Sequence, residues 1–335
     1  MSTPATSVKF GFDFQTNAAI VLMIENITEL SFVRIEGAED IEIRLSDGTE
    51  ILAQAKSVVN SSSDFSNVRQ KAKKAVASLS EEAQKCKAKE LIYITNTPDP
   101  FKDDVSKPMF YGHAHVRFDS LPQTAKDLVY EYLAQIKHPL DTSKLKIHVI
   151  PFEGDDELQR YKVIHSVISD FIGELDLDEI YGLKKKLHEV WQTMLDKNGT
   201  KANRDIRLSK KSIIWPIIVF VTRKGGLKRE DQYCNLYDDS DYNEICSKYG
   251  EIIDYYSERY DFATKVVFDY AASGIKVRGL GAFESFINGH WEDYKSEIGD
   301  DSMNSEVRKG LIQIILFNIL KRRVEIDKIK RAVNL

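Results

Sequence analysis

Polar and apolar residues alternate on both sides of a short turn between residues 39 and 56. Alternation with a period of two predicts two antiparallel strands, joined by a turn at residues 46–48. A three-residue loop with Gly48 in the left-handed conformation places Asp40 opposite Gln54. A two-residue loop would shift the pairing by one residue and mix apolar with polar positions on each face. The three-residue register is therefore the one that we predict.

This register divides the hairpin into an apolar face and a polar face. The apolar face collects Ile41, Ile43, Leu45, Ile51, Ala53 and Ala55. The polar face collects Asp40, Glu42, Arg44, Glu50, Leu52, Gln54 and Lys56. An ordinary amphipathic hairpin whose charged face meets water would show the same pattern.

Three residues of the polar face offer a specific chemistry. Asp40 can hold a divalent cation, and Gln54 supplies a second oxygen ligand from the neighbouring strand. Lys56, two residues later on the same face, can orient or deprotonate an attacking water. Oxygen ligands favour Mg²⁺ or Mn²⁺, so the trio suits metal-assisted cleavage of a phosphodiester.

The segments around the hairpin predict the order α-β-β-β-α-β. The predicted elements are a helix over residues 17–26, a strand over 31–35, the two hairpin strands, a helix over about 65–85 and a buried strand over 91–95. Thr16 or Asn17 is the predicted cap of the first helix, and residues 61–64 are the predicted cap of the second.

This order resembles the core of the PD-(D/E)XK restriction-endonuclease-like superfamily. Three motifs narrow the resemblance: Gly11-Phe12-Asp13-Phe14-Gln15, Glu36-x-x-Glu39-Asp40 and Gln54-Ala55-Lys56. Together they are similar to the double-strand DNA endonuclease domain of bacterial antiviral effectors. That domain occurs fused to SAVED second-messenger sensors and in the nuclease subunit of Lamassu-type defence systems. The resemblance covers roughly residues 9 to 100.

The resemblance implies a role for each motif residue. Asp40 would bind the metal, aided by Gln54 and the backbone carbonyl of Ala55, and Lys56 would be the catalytic lysine. Because Gln54 stands where the superfamily usually has Asp or Glu, another group would complete the site. The candidates for this additional role are Glu36, Glu39, Glu25 and Gln15. The cations implied to bind DNA phosphates are Arg69, Lys71, Lys73 and Lys74, although they could equally decorate a solvated helix.

The implied function is a Mg²⁺- or Mn²⁺-dependent endonuclease that cuts double-stranded DNA as the effector of an antiviral or anti-plasmid system. The part of the chain that follows the nuclease-like domain is expected to be too short for a complete SAVED sensor. This expectation favours the Lamassu-like arrangement. An SMC-like ATPase and a small accessory subunit would then restrain the nuclease, and release would produce an active homo-oligomer. The alternatives are a catalytically degenerate scaffold, favoured by Gln54, and a nuclease for RNA or structured DNA.

Composition limits the remaining possibilities. The chain has 335 residues, of which 42% are hydrophobic and 30% charged, so it is large enough for two folded domains. A net charge of −5 predicts that any DNA contact comes from a local patch. Cys86, Cys234 and Cys246 form no close-spaced pair, and no signal sequence or membrane-length apolar run is present. These features predict a cytoplasmic protein with no membrane partner.

A change in composition near Gly154 suggests a domain boundary. Residues 1–153 are predicted to form an α/β nuclease-like domain with a mixed sheet, extended by a strand over residues 145–151. Residues 154–335 are predicted to form a mostly α-helical domain for regulation, partner binding or oligomerisation. Within it we expect Pro216 to end or kink a helix.

Two histidines also have a spacing that can bind a metal. His113 and His115 alternate along a possible strand over residues 111–118. The sequence shows no third ligand nearby, so a metal is not expected there.

Overall fold

The computed structural model describes residues 4–37, 39–177, 180, 182–203, 205–224, 239–275, 280–298, 303–321 and 323–335. The chain forms two compact units, Met1–Ile213 with Asn334 and Ile214–Val333 with Leu335. The first unit is an α/β structure with a mixed sheet, and the helices that the structure describes account for the second.

The helices and strands of the first unit begin with the predicted α-β-β-β-α-β order. They are α1 (Pro4–Glu25), β1 (Leu30–Ile35), β2 (Ile41–Leu45), β3 (Glu50–Lys56), α2 (Val68–Glu82), β4 (Ala88–Thr95), β5 (Ala114–Arg117), α3 (Gln123–Leu133), β6 (Leu145–Val149), α4 (Glu157–Arg160), α5 (Lys162–Glu174), α6 (Leu183–Gly199) and β7 (Leu208–Ser209). Short 3₁₀ turns occupy Lys107–Phe110, Phe118–Ser120 and Thr142–Lys144. The order is confirmed, whereas the superfamily assignment stays a prediction.

The seven strands lie in the order β5-β6-β4-β3-β2-β1-β7. β3, β4 and β6 run parallel to one another, and the other neighbouring pairs are antiparallel. The predicted mixed sheet, its extension by β6 and the strand around His115 are therefore confirmed. The carboxyl ends of β3, β4 and β6 consequently meet at one edge of the sheet.

The hairpin has the predicted register. Ile41 pairs with Ala53, and the N–H of Leu45 donates to the carbonyl of Thr49 at 2.9 Å. Gly48 has a φ of 79°, which is the left-handed conformation that the three-residue loop requires. This register brings the residue before β2 opposite the end of β3, where the candidate site lies.

Helices cover both faces of the sheet in the first unit. α2 and α3 pack on the face that carries Leu52, Leu91 and Ile147. α1 contacts β1, β2 and β3, and α5 and α6 pack against α1. The hairpin face that the sequence predicts to be polar is therefore partly buried. Leu52 and Gln54 of β3 lie on this face and are buried, and α2 packs against β3.

α1 begins at Pro4, well before the predicted cap at Thr16 or Asn17, and both of these residues lie inside the helix. Phe10 and Phe14 lie one helical turn apart and are both buried. The two rings extend the apolar face of α1 toward its first turns. The sequence pattern predicts that these residues precede the helix.

The predicted boundary at residues 153/154 is not where the compact units divide. α5 packs against α1, and α6 packs against α1 and β1. β7 adds a further strand beside β1, with Leu208 opposite Val33. The acidic composition after Gly154 instead corresponds to an exposed segment, residues 154–159, on the surface of the first unit.

The second unit contains α8 (Asp239–Glu258), α9 (Tyr260–Ala272), α10 (Leu280–His290), α11 (Ser305–Lys321) and α12 (Arg323–Ala332), with a 3₁₀ turn at Trp291–Tyr294. α7 (Lys210–Lys224) leads from the first unit and continues past Pro216, so this proline does not end the helix. Val266, Phe286 and Leu316 are fully buried in the core of the unit. Among the described helices, none combines the length and apolar character that crossing a membrane requires.

The cysteines form no disulfide among the described residues. Cys86 is a free thiol, Cys246 packs partly buried in the second unit, and Cys234 lies outside the described residues. Burial, assisted by nearby carboxylates, raises the pKa of Cys86 to about 11, so its thiol is protonated at neutral pH.

Candidate functional site at the carboxyl end of β3

Three consecutive residues of β3 converge on one oxygen of Asp40, the residue that precedes β2. The Nε2 group of Gln54 donates a hydrogen bond to Oδ2 of Asp40, and the backbone N–H of Ala55 donates to the same atom at 2.9 Å. Nζ of Lys56 lies 3.4 Å from that oxygen. The hairpin register creates this convergence, because it places the end of β3 beside the start of β2.

Gln54 and Ala55 contact Asp40 as hydrogen-bond donors. Gln54 is buried and presents its amide nitrogen, so its Oε1 atom is the oxygen that a metal would take. Ala55 contributes its N–H, and the predicted ligand role of its carbonyl stays a prediction. A carboxylate at position 54 would place two negative groups in contact, whereas the observed pair needs no cation to balance it.

Glu39 lies beside Asp40 and is the buried carboxyl among the additional candidates. The hydroxyl of Ser78 on α2 donates to its Oε1 atom at 2.8 Å. Burial is the largest influence on Glu39 and the neighbouring Asp40 charge adds to it, so the pKa of Glu39 rises to about 7 despite the hydrogen bond. The Glu39 carboxyl can therefore accept a proton near pH 7. A cation beside it would favour its charged form.

Gln15 and Glu36 tie α1 to the same loop. Nε2 of Gln15 donates to Oε1 of Glu36 and to the backbone carbonyl of Asp40, both at 2.8 Å. Glu36 is exposed and adopts a φ of 55°, an uncommon conformation for a residue other than glycine. Gln15 thus positions the backbone of Asp40, which is a supporting role and not that of a ligand.

Glu25 does not belong to this site, contrary to the sequence-based candidate set. It ends α1, ten residues or about 15 Å along the helix axis from Gln15. Its carboxylate lies 3.2 Å from Nε2 of His115 and 3.8 Å from Nε2 of His113. Because Gln15 contacts the Asp40 loop from the middle of α1, the end of the same helix places Glu25 away from it.

The four candidate DNA-binding cations divide between two sides of α2, and two of them border the site. Nζ of Lys71 donates to the carbonyl of Ser57 at 2.5 Å, one residue beyond Lys56. The pKa of Lys71 is lowered, chiefly by burial and also by the Lys56 charge. Lys74 is exposed one turn further along α2, toward Ser78.

The other two cations hold neighbouring segments of the protein. Nε and Nη2 of Arg69 donate to the carbonyls of Phe101 and Lys102, each at 2.8 Å. Nζ of Lys73 donates to the side chain of Gln135 at 2.5 Å. The structure therefore groups Lys71 and Lys74, and not Arg69 and Lys73, with the Asp40 site.

Asn96, which the sequence reasoning missed, fastens the edge of the sheet on which the site lies. Its side chain accepts from the N–H of Val58 at 2.8 Å and donates to the carbonyls of Val58 and Phe152, each at 2.7 Å. These bonds join the chain segments that follow β3, β4 and β6. A polar residue directly after the buried strand β4 was the available signal.

The motif residue Asp13 faces a different region from Gln15. Its carboxylate accepts a hydrogen bond from the hydroxyl of Tyr161 and lies 3.5 Å from the guanidinium of Arg160. Asp13 and Arg160 help to line a cavity of about 480 Å³. Burial raises the pKa of Asp13, but the residue makes no described contact with Asp40 or Lys56.

Three side chains at the Asp40 site carry oxygen atoms that could hold a hard divalent cation. Asp40, Gln54 and Glu39 offer carboxylate and amide oxygens, which Mg²⁺ and Mn²⁺ prefer. A cation would also favour the ionised form of Glu39, whose charge burial disfavours. Lys56 and Lys71 add positive charge at the same edge, where an anionic substrate could lie.

No family model and no curated protein sequence matches this chain. Two solved structures are similar to part of it, both of an Acinetobacter baumannii Cap4 SAVED/CARF-domain containing receptor, one with the cyclic trinucleotide 2'3'3'-cAAA and one with 3'3'3'-cAAA. The TM-score is 0.37 in each case, with identities of 13% and 14%. Each match covers 63% of this chain and 45% of the receptor, so the chain spans less than half the length of these receptors. At this similarity the receptors carry no argument about this chain.

Proposed function

We propose that this chain is a metal-dependent endonuclease that hydrolyses double-stranded DNA as the effector of a bacterial antiviral or anti-plasmid system. The observation that carries the proposal is the convergence of Asp40, Gln54 and Lys56 at the carboxyl end of β3. A carboxylate and an ammonium group on one polar edge are parts that metal-assisted phosphodiester cleavage uses, and the Gln54 carboxamide beside them carries an oxygen that could serve as a further ligand.

Asp40 and Gln54 would hold Mg²⁺ or Mn²⁺, with Glu39 and the carbonyl of Ala55 as further oxygen donors. The bound cation would supply Lewis-acid polarisation of the scissile phosphate. Lys56 orients the attacking water and stabilises the negative charge that grows on the phosphate oxygens in the transition state. Gln15 keeps the Asp40 backbone in place for this task.

Lys71 and Lys74 extend the positive edge along α2, where the DNA backbone would lie. A chain with a net charge of −5 needs such a local patch to bind a polyanion. Lys71 is already partly desolvated beside Lys56, so a phosphate placed between them would offset an existing unfavourable interaction.

Control by partner subunits is part of the proposal, because unrestrained cleavage would damage the host. In the Lamassu-like arrangement, an SMC-like ATPase and a small accessory subunit hold the nuclease inactive. Release then permits a homo-oligomer through the helical second unit. Light scattering after size-exclusion chromatography should detect an oligomer of the released chain; a permanently monomeric, fully active protein would contradict this part.

The central experiment is cleavage of plasmid DNA by the chain released from its partners, with Mg²⁺ or Mn²⁺. Lys56→Ala should lower the cleavage rate by about 10²–10³-fold, since it removes transition-state stabilisation. Lys137→Ala, which alters an exposed lysine outside the site, is the matched control and should cleave normally. Circular dichroism verifies that both variants are folded. Full cleavage by Lys56→Ala would refute the assignment.

A catalytically degenerate scaffold is the second candidate, and Gln54 favours it. Its amide satisfies Asp40 without a metal, so the site can exist as a hydrogen-bonded structure alone. Linear duplex, plasmid, single-stranded DNA and RNA, offered side by side to the released wild-type chain, separate the two. Absence of cleavage on all four substrates with Mg²⁺ and with Mn²⁺ would favour the scaffold.

A further inference from the structure

Four potential metal ligands meet on the face of the sheet that α1 covers, apart from the Asp40 site. His115 on β5 stands directly opposite His148 on β6. His113 immediately precedes β5, and its ring contacts those of His115 and His148. Glu25, the last residue of α1, reaches this group from the helix. Three segments far apart in the sequence therefore contribute one cluster.

The separations of the ligand atoms suit one small cation. Nε2 of His113 lies 2.8 Å from Nε2 of His148, and the Glu25 carboxylate lies 3.2 Å from His115 and 3.8 Å from His113. One ligand atom from each of the four residues lies within 4.8 Å of all the others. Tetrahedral zinc with bonds of about 2.0 Å places its ligand atoms about 3.3 Å apart, which falls within this set of distances.

His148 is the buried member of the cluster. Its side chain is 1% exposed, and its Nδ1 atom has no hydrogen-bond partner among the described residues. Burial lowers the pKa of His148 well below its ordinary value and also lowers the pKa of His113. The Nε2 atoms of these two histidines face each other, so His148 presents Nε2 to the cluster.

We propose that Glu25, His113, His115 and His148 form a binding site for a divalent transition metal of the zinc class. Three imidazole nitrogens select such a metal over Mg²⁺, which takes oxygen ligands. The bound ion links the end of α1 to β5 and β6, and so fastens the four-residue edge strand β5 to the body of the first unit. The site is separate from the Asp40 cluster and stands whether or not the chain cleaves DNA.

The test uses the untagged full chain, stripped of metal and titrated with Zn²⁺ by calorimetry. We expect one equivalent to bind tightly to the wild type and to raise its melting temperature. Co²⁺ in place of Zn²⁺ should give the intense visible absorption of a tetrahedral site with nitrogen ligands. His115→Ala and Glu25→Gln should each weaken Zn²⁺ binding at least tenfold, since each removes one ligand while His148 stays in the core.

Two control variants make the result specific. His138→Ala removes an exposed histidine outside the cluster, and Asp40→Asn alters the other candidate metal site; both should bind Zn²⁺ as the wild type does. Absence of a stoichiometric Zn²⁺ site in the wild type would overturn the proposal. Undiminished binding by folded His115→Ala and Glu25→Gln would overturn it equally, and the wild-type Co²⁺ spectrum decides the matter if a variant fails to fold.

Discussion

Nζ of Lys56 lies 3.4 Å from Oδ2 of Asp40, and both side chains are still about one quarter exposed to solvent. An ion pair in that position contributes little to stability, because water and salt screen it. The pair is thus better suited to meeting a ligand than to holding the fold together, and function and stability can be tested separately at Lys56.

Lys56→Met should change the free energy of unfolding by less than about 1 kcal/mol, since solvent still reaches and screens the ion pair and the methylene groups are kept. Urea unfolding of the variant and the wild type measures the difference. A loss of more than about 2 kcal/mol would show instead that Lys56 is a structural residue.

Gln54→Glu should make the protein dependent on a divalent cation. Two carboxylates in contact repel each other in a buried place, so we expect a loss of about 1–3 kcal/mol at pH 8 without metal. Mg²⁺ or Mn²⁺ should restore more stability to this variant than to the wild type. Thermal melting with and without the cation measures both effects; a variant as stable as the wild type without metal would contradict the contact with Asp40.

Glu39 should make stability fall as the pH rises from about 4.5 to 7. Its folded pKa of about 7 lies above the ordinary value of 4.5, so the folded chain binds more protons than the unfolded chain in this window. The contribution of Glu39 to the free energy of unfolding is therefore fully present below pH 4.5, and it is lost as the pH rises through about 7.

Glu39→Gln keeps a hydrogen-bond acceptor for Ser78 and removes the charge. Relative to the wild type, this variant should be more stable at pH 8 than at pH 5 by an amount on the order of 1–3 kcal/mol. Urea unfolding at the two pH values gives the comparison. An equal difference at both pH values would show that the pKa of Glu39 is not raised.

Lys71→Ala should weaken binding of duplex DNA and lower the slope of log K against log salt concentration by about 1, because one phosphate contact is lost. Lys73→Ala is the matched control on the same helix, since Lys73 already bonds to Gln135. Fluorescence anisotropy at several salt concentrations measures both slopes. Equal effects of the two substitutions would place DNA elsewhere on α2.

Asn96→Ala should cost about 2–4 kcal/mol of stability, since three hydrogen bonds disappear and buried backbone groups of Val58 and Phe152 lose a partner. Asn67→Ala, at an exposed position at the start of α2, should change stability by no more than about 0.5 kcal/mol. Urea unfolding compares the two variants. An Asn96→Ala variant as stable as the wild type would show that Asn96 does not hold the edge of the sheet together.

The hairpin could be predicted because its information is local. A period of two and a glycine at the left-handed position of the turn fix the register, and the register alone brings Asp40 and Lys56 together. The order of the flanking elements was predictable for the same reason, since each has its own hydrophobic period.

Contacts between distant segments could not be read from local patterns. The early start of α1 accompanies the burial of Phe10 and Phe14 against distant parts of the chain. His148 joins His115 only through the pairing of β5 with β6. Likewise, the partners that separate Arg69 from Lys71 come from loops whose course the helix pattern does not encode.

α1 carries Gln15 at the hairpin and Glu25 at the histidine cluster, so one helix joins the two places where we propose that ions of different kinds bind. A strong chelator added to show that cleavage needs magnesium would also remove any zinc bound at the histidine cluster. Loss of activity after such treatment would then report two events at once. Omitting magnesium while zinc is held constant keeps them apart.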